Sequence, residues 1–279
     1  MKVQTFYKYQ GAGNDFLIAD NRNGDLQLTT EQIAALCDRR YGVGADGLML
    51  LEKSDEYDFR MVYYNSDGSG GMMCGNGGRC MVAFAADCGI DHFDFDAADG
   101  FHTAQILANE DGVRTVRLKM KDVAAIDQYE VLAGANVPSE GCFLDTGTRH
   151  YVRFVTGLEE YDIVSEGRDI RYNALPLQPV GANVNYVEPY DGGVKVRTYE
   201  KGVEDETFAC GTGIVASCVA SYVKGVRPSH VDGDGRVKYD VMAKKDRLSV
   251  DFIPSESLVA EDVWLIGPAT YVAQIIVKN

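Results

Sequence analysis

The stretch "MMCGNGGRC", residues 72–80, sets one cysteine, Cys74, among glycines. Before it lies "DFRMVYYN" (58–65), whose β-branched and aromatic residues read as a strand. After it lies "GNGGRCMVAFAADCG" (75–89), in which the only charges from Gly75 to Cys88 are Arg79 and Asp87. A helix that is small or apolar all round is buried on most of its sides. The stretch thus marks a strand, a glycine loop and a buried helix with a thiol at its start. The chain then repeats the arrangement. "GVKVRTYE" (193–200) reads as a strand, "ACGTGIVASC" (209–218) holds Cys210 in another Cys-Gly-x-Gly, and "GTGIVASCVASYVKG" (211–225) reads as a helix. No charge occurs from Gly211 to Val223, and each helix can stop at a glycine, Gly89 or Gly225. Each site also has a second cysteine further on, Cys80 and Cys218.

The echo divides the chain into two similar domains, 1–120 with the Cys74 site and 121–267 with the Cys210 site. A C-terminal strand, 268–279, is placed to return to the first domain. Further strands are expected at "FLIAD", "GLMLLEK" and "RTVRLKM" in the first half. In the second, "HYVRFV", "NVNYVEP", "RLSVDFI" and "TYVAQIIV" read the same way. "TTEQIAALCDRRYG" (29–42) reads as a helix with a threonine cap and Gly42 as its stop. Many strands and few helices favour a sheet wrapped around each of these charge-poor helices. Thirteen helical residues span roughly 20 Å, too short for a bilayer.

Composition narrows the function. At 279 residues, 46% hydrophobic and 25% charged, the chain is ordinary for a globular protein. Its formal charge of −15, with no lysine- or arginine-rich cluster, argues against nucleic acid. The start, "MKVQTFYKYQ", lacks the apolar run of a secretory signal, and no stretch reads as a membrane span. A cytoplasmic location is expected. The seven cysteines contain no CxxC pair and the four histidines are scattered, so no metal site is expected. "GAGNDF" (11–16) lacks the third glycine and following helix of a dinucleotide loop, so no cofactor is expected.

A helix start carries unsatisfied N–H groups and the positive end of the helix dipole, so it attracts anions and favours a thiolate. Glycines let a ligand approach that backbone. Two such sites facing one another could hold a carboxylate with a thiol on each side of the adjacent carbon. One thiolate would remove the α-proton and the other thiol would return one, a two-base racemisation or epimerisation. Buried structural cysteines and a redox-switch pair remain open on these residues alone.

At these residues the chain resembles the diaminopimelate epimerases. The elements run in order over nearly its whole length: "GAGNDF", "DRRYGVGADGLM", "YYNSDGS", "MCGNGGRC", "GTRHYVRFV", "NVNYVE" and "RTYEKGVEDETFACGTG". The resemblance implies a mixed α/β fold of two pseudo-symmetric domains. Each would be a curled, mostly antiparallel sheet around a central helix, with the active site in the cleft between them. It implies cofactor-independent interconversion of LL- and meso-2,6-diaminopimelate, with Cys74 and Cys210 as the acid–base pair. Gly75, Asn76, Gly211 and Thr212 would hold the reacting carboxylate. Asn14, Asn65 and Asn183 would bind substrate, and His150 and Glu200 would support the thiols and the substrate amine. The partner would be a small amino acid, and the resemblance leaves room for a homodimer. A proline racemase-like activity and a non-catalytic redox-switch binding protein are the alternatives.

Three features depart from the family pattern. Gly147-Thr148-Arg149-His150 stands where Gly-Asn-Pro-His is usual, and Glu200-Lys201-Gly202 where Glu-Arg-Gly is usual. The segment from Glu200 to Cys210 is one residue longer than usual. Lys201 is expected to supply a point charge for the distal carboxylate, without the fork an arginine offers.

Overall fold

The computed structural model describes residues 3–71, 73–129, 141–174 and 177–278. The chain divides into two compact units, one of Met1–Lys119 with Ile266–Asn279 and one of Met120–Leu265.

In the first unit the order is β1 (Val3–Gly11), β2 (Asn14–Asp20), α1 (Thr30–Cys37), β3 (Gly47–Glu52), β4 (Phe59–Asn65), α2 (Gly75–Asp87), β5 (Asp94–Ala97), β6 (Gly100–Glu110) and β7 (Val113–Lys119). The C-terminal part of the last strand, β17 (Ala260–Lys278), completes it. β2–β3 and β4–β5 are parallel; the other neighbours are antiparallel. β17 pairs with both β7 and β1, so the strands close on themselves. Closure leaves these strands no open edge to protect. α2 lies inside, packed on β1, β2, β3, β4, β6 and β7.

The second unit holds β8 (Ile126–Tyr129), β9 (Gly141–Asp145), β10 (Arg149–Phe154), α3 (Ile163–Asn173), β11 (Asn183–Tyr190), β12 (Gly193–Glu200), β13 (Asp205–Thr207), α4 (Gly211–Val223), β14 (His230–Val231), β15 (Val237–Met242) and β16 (Arg247–Pro254). β9–β10 is antiparallel, β10–β11 parallel, β11–β12 antiparallel, β12–β15 parallel and β15–β16 antiparallel. From β1 to β6 the first unit runs through the same alternation, with a helix in each parallel crossover. α4 packs on β9, β10, β11, β12 and β16.

The two charge-poor segments form the expected buried helices. Every residue of α2 from Asn76 to Ala85 is buried, and every residue of α4 from Gly213 to Ser221. Gly89 and Gly225 follow them at φ 83° and 76°, left-handed values that glycine adopts without strain. A bond from Ile90 N–H to Ala85 O, 3.0 Å, and one from Val226 N–H to Ser221 O, 2.9 Å, close the two helix ends alike.

α1 is shorter than the sequence pattern suggests. Thr29 and Gln32 form a reciprocal cap at its start, but the helix ends at Cys37. The carboxylate of Asp38 accepts the N–H groups of Arg40 and Tyr41, at 2.7 and 2.6 Å, and turns the chain before Gly42. α3 was not expected. Its Ile163, Gly167 and Ile170 are buried on a sequence rich in polar residues. Among the described residues no helix is long and apolar enough to cross a membrane.

Candidate active site

Cys74 is the N-cap of α2 and Cys210 the N-cap of α4, each in extended backbone conformation. The first helical bonds run from Gly78 N–H to Cys74 O, 2.7 Å, and from Ile214 N–H to Cys210 O, 2.9 Å. The N–H groups between cap and first bond have no carbonyl partner inside the helix. Neither first turn contains an acidic residue. Both helix starts therefore keep their positive potential for an external anion.

The companion cysteines are different. Cys80 and Cys218 are fully buried. Burial pushes the Cys80 thiol up to about 12 and raises that of Cys218 as well. At neutral pH both are packing groups, not nucleophiles.

In the first unit Asn14 begins β2 and reaches α2. The Asn76 amide N–H donates to Asn14 Oδ1 at 2.5 Å, and the Asn14 amide donates to Asp46 Oδ2 at 3.0 Å. Asn65 ends β4 and its amide donates to Ser69 Oγ at 2.9 Å, within the adjoining turn.

In the second unit the network centres on His150, which is fully buried on β10. Its Nε2 lies 2.9 Å from both Thr148 Oγ1 and Thr212 Oγ1, which are 3.0 Å apart. Its Nδ1 lies 2.8 Å from Asn185 Oδ1, and the Asn185 amide donates to Thr198 Oγ1 at 3.0 Å. With Asn185 oriented that way, Nδ1 carries the ring hydrogen and Nε2 accepts from a threonine hydroxyl. Thr212 Oγ1 is 3.5 Å from Cys210 Sγ, so imidazole, hydroxyl and thiol are in one line of contacts. Burial lowers the His150 pKa to about 4, so the ring is neutral near pH 7.

The comparison with known proteins fits this arrangement. The family model described as diaminopimelate epimerase matches residues 6–123. The diaminopimelate epimerase of Flavobacterium psychrophilum is 41% identical, over 95% of this chain and 97% of the relative. That of Chlorobaculum tepidum is 42% identical over 93% of this chain and 95% of the relative. The chain belongs to the diaminopimelate epimerase family. Among solved structures it shares its fold with a Bacillus anthracis phenazine biosynthesis protein of the PhzF family, at TM-score 0.71 and 17% identity over 100% of both chains. It also shares it with a hydroxyproline epimerase from Agrobacterium vitis, at TM-score 0.66 and 14% identity over 99% of this chain and 92% of the other. The fold is thus the two-sheet-domain, mixed α/β fold that the resemblance implied.

The remaining candidate residues fall in four settings. Glu200 ends β12; Thr207 Oγ1 donates to its carboxylate at 2.8 Å, while burial raises its pKa. Asn183 is buried and spends both ends of its amide on backbone, donating to Arg149 O at 3.3 Å and accepting from Lys201 N–H at 2.8 Å. Lys201 is exposed, and its side chain extends from a turn that its own N–H anchors to Asn183. Gly75, Asn76, Gly211 and Thr212 are the first two residues of their helices.

Asp46, Arg79 and Asn185 have no role that the sequence pattern alone assigns, and Thr148 stands in it only as a departure. The glycine at 213 offered an indirect signal for Asn185. A Cβ there would lie 2.3 Å from Asn185 Nδ2 and 3.2 Å from His150 Cε1, so the amide occupies the space a side chain would take.

Proposed function

We propose that this chain interconverts LL- and meso-2,6-diaminopimelate by proton abstraction and return at the α-carbon, with no cofactor. The observation that supports the reading most directly is the pair of matched helix starts. Each unit presents one cysteine as the N-cap of a buried helix, beside glycines and with no acidic residue in the first turn. In a family of diaminopimelate epimerases, those are the groups the reaction needs.

Two-base chemistry requires a thiolate and a thiol addressing opposite faces of one α-carbon. The thiolate, Cys74 or Cys210 according to the isomer bound, takes the α-proton and becomes a thiol. The electron pair left on carbon delocalises into the α-carboxylate. The other cysteine then gives its S–H proton to the opposite face and becomes the thiolate. The α-proton of an amino acid is very weakly acidic, so charge developing on the carboxylate has to be met by fixed donors. The N–H groups at Gly75 and Asn76, and at Gly211 and Thr212, are assigned that role. His150 and Glu200 are assigned the support of the thiols and the substrate ammonium. Lys201 is assigned the distal carboxylate, with Asn14, Asn65 and Asn183 contributing polar contacts.

The test is incubation of the purified chain with LL-diaminopimelate in deuterated water, with a reducing agent and no added cofactor. The meso isomer should form with deuterium at the inverted carbon. Absence of both isomerisation and exchange, in protein that is folded and reduced, would overturn the proposal.

A further inference from the structure

The first unit contains a hydrogen-bonded chain with a cation at one end and a carboxylate at the other. Arg79, fully buried on α2, donates from Nη2 to Asn76 Oδ1 at 3.0 Å. Asn76 Nδ2 donates to Asn14 Oδ1 at 2.5 Å, and Asn14 Nδ2 donates to Asp46 Oδ2 at 3.0 Å. Beyond it, Arg39 Nη2 reaches Asp46 Oδ1 at 2.7 Å. Two weaker contacts keep the buried guanidinium at the helix start: Nη1 to Gly75 O at 3.5 Å and Nε to Pro268 O at 3.4 Å.

The two ends determine the middle. A carboxamide carries a donor and an acceptor that can exchange places by rotation, so two amides bonded only to each other have no preferred direction. A guanidinium only donates and a carboxylate only accepts. Arg79 therefore turns the oxygen of Asn76 towards itself and its nitrogen towards Asn14. Asp46 turns the nitrogen of Asn14 towards itself and its oxygen towards Asn76. Both ends impose the same direction on both amides.

We infer that Arg79 and Asp46 are positioning residues for Asn14 and Asn76, fixing which N–H and which lone pair each amide presents to an amino-acid ligand. The ligand's identity rests on the reading given under Proposed function; the locked chain does not. Breaking either end leaves the direction to the other end alone, which loosens both amides, including the one the broken end never touches.

Side-chain amide hydrogen exchange, followed by 15N NMR, tests this without substrate. The variants are Asp46→Ala, Arg79→Met and Arg79→Lys. Arg60→Ala is the control, because it removes an Arg–Asp pair of the same unit, to Asp96, away from the chain. Asp46→Ala should speed exchange about tenfold at Asn14 and measurably at Asn76. Arg79→Met should do the reverse, and Arg79→Lys, which keeps charge and one donor, should restore part of the protection. Arg60→Ala should change neither. If exchange in Asp46→Ala is unchanged, or changes at Asn14 alone, the chain does not transmit direction and the inference fails. The Asp46→Ala arm decides on its own if Arg79→Met does not fold. With LL-diaminopimelate as substrate, Asp46→Ala should raise KM about fivefold with kcat within about twofold, because positioning acts on ground and transition states alike. An unchanged KM would remove the positioning role. A wild-type chain that does not turn the substrate over would instead count against the proposed function, and the exchange data would still judge the chain.

Discussion

The two helix starts are built on one plan and polarised by different means. At α2 the residue two places after the cysteine, Asn76, bonds to Asn14 at the beginning of β2. At α4 the equivalent residue, Thr212, bonds to Thr148 just before β10. In the first unit, ions set the direction of the contact, Arg79 at one end and Asp46 at the other. In the second, a neutral buried imidazole and the Asn185 amide set it. The pairing registers extend the match. Gly47 faces Asn65 across β3–β4, and Val184 faces Tyr199 across β11–β12, which brings Glu200 to the place Asn65 holds in the first unit. The next residue along the chain differs again, Ser66 in one unit and Lys201 in the other. A shared fold fixes where polar groups can stand; it leaves open whether the groups are charged.

The thiols test the half of the comparison in which the units are alike. Cys74→Ala and Cys210→Ala should each lower epimerisation of LL-diaminopimelate by at least about 10³-fold, since each would remove one of the two proton-transfer groups of the proposed mechanism. Cys37→Ala and Cys142→Ala, which alter buried packing positions, should leave turnover within about threefold. A single active-site variant that keeps near-normal turnover would break the equivalence of the two units.

His150 tests the half in which they differ. Its folded pKa of about 4 lies below the ordinary value of 6.5 because the ring is buried. Between these values the unfolded chain binds the extra proton and the folded chain does not, so stability rises with pH across the window. It is complete above about pH 6.5 and is lost as pH falls towards 4, by about 3 kcal/mol in all. Urea unfolding of wild type and His150→Gln at pH 7 and pH 4.5 should therefore show wild type losing more of its stability on acidification. Parallel losses in the two proteins would mean that the ring takes up its proton without leaving the network.

These contrasts also show which parts of the molecule were legible in the sequence. α2 and α4 were, because a run nearly or wholly without charge, bounded by a cysteine–glycine start and a glycine stop, has few other solutions. The strands from "FRMVYYN" and "GVKVRTYE" were, because β-branched and aromatic residues crowd them. α3 was not, because Gly167 interrupts its apolar stripe. The reason is tertiary: a Cβ at that glycine would sit 2.6 Å from the Cβ of Tyr199 on β12. At the candidate site the cysteines and Asn14 stand in short glycine-rich signatures that can be read locally. Arg79 bonds Asn76 only three residues back, but the amide it orients is tied to Asn14 far upstream; Asp46 and Asn185 acquire their roles from partners far along the chain, such as His150 and Asn185, 35 positions apart. No window of sequence contains both ends of such a contact. Thr148 read as a shortened asparagine; in the fold its hydroxyl reaches His150 and Thr212 without the extra length.

Lys201 sharpens the comparison at its charged edge. It is exposed and stands where the first unit has a serine. If its ammonium holds the distal carboxylate, Lys201→Ala should raise KM about tenfold with little change in kcat, because the contact forms in ground and transition states alike. Lys201→Arg should keep or improve binding by offering a fork. A KM unchanged in Lys201→Ala would leave distal recognition to the neutral groups the two units share.

The smallest effect concerns the third residue of each helix, glycine in both. A Cβ at Gly213 would lie 2.3 Å from Asn185 Nδ2, and that amide is held by His150 on one side and Thr198 on the other. A Cβ at Gly77 would lie 3.1 Å from Met49 Sδ, part of a flexible though buried thioether. Replacing a helical glycine by alanine stabilises a helix by up to about 1 kcal/mol. At residue 77 that gain should roughly cancel a small repacking cost, leaving Gly77→Ala within about 0.5 kcal/mol of wild type. At residue 213 the clash falls on an amide that cannot move without releasing His150. Overpacking of that kind costs about 1–3 kcal/mol, so Gly213→Ala should lose about 1 kcal/mol net. Its His150 should also titrate nearer the ordinary value, because displacing Asn185 opens the ring to water. Urea midpoints for the two variants, with the His150 imidazole followed by NMR, measure both consequences. Equal midpoints with an unmoved imidazole would show that the neutral network yields as easily as a methionine, and the contrast between a pinned and a pliable helix start would be lost.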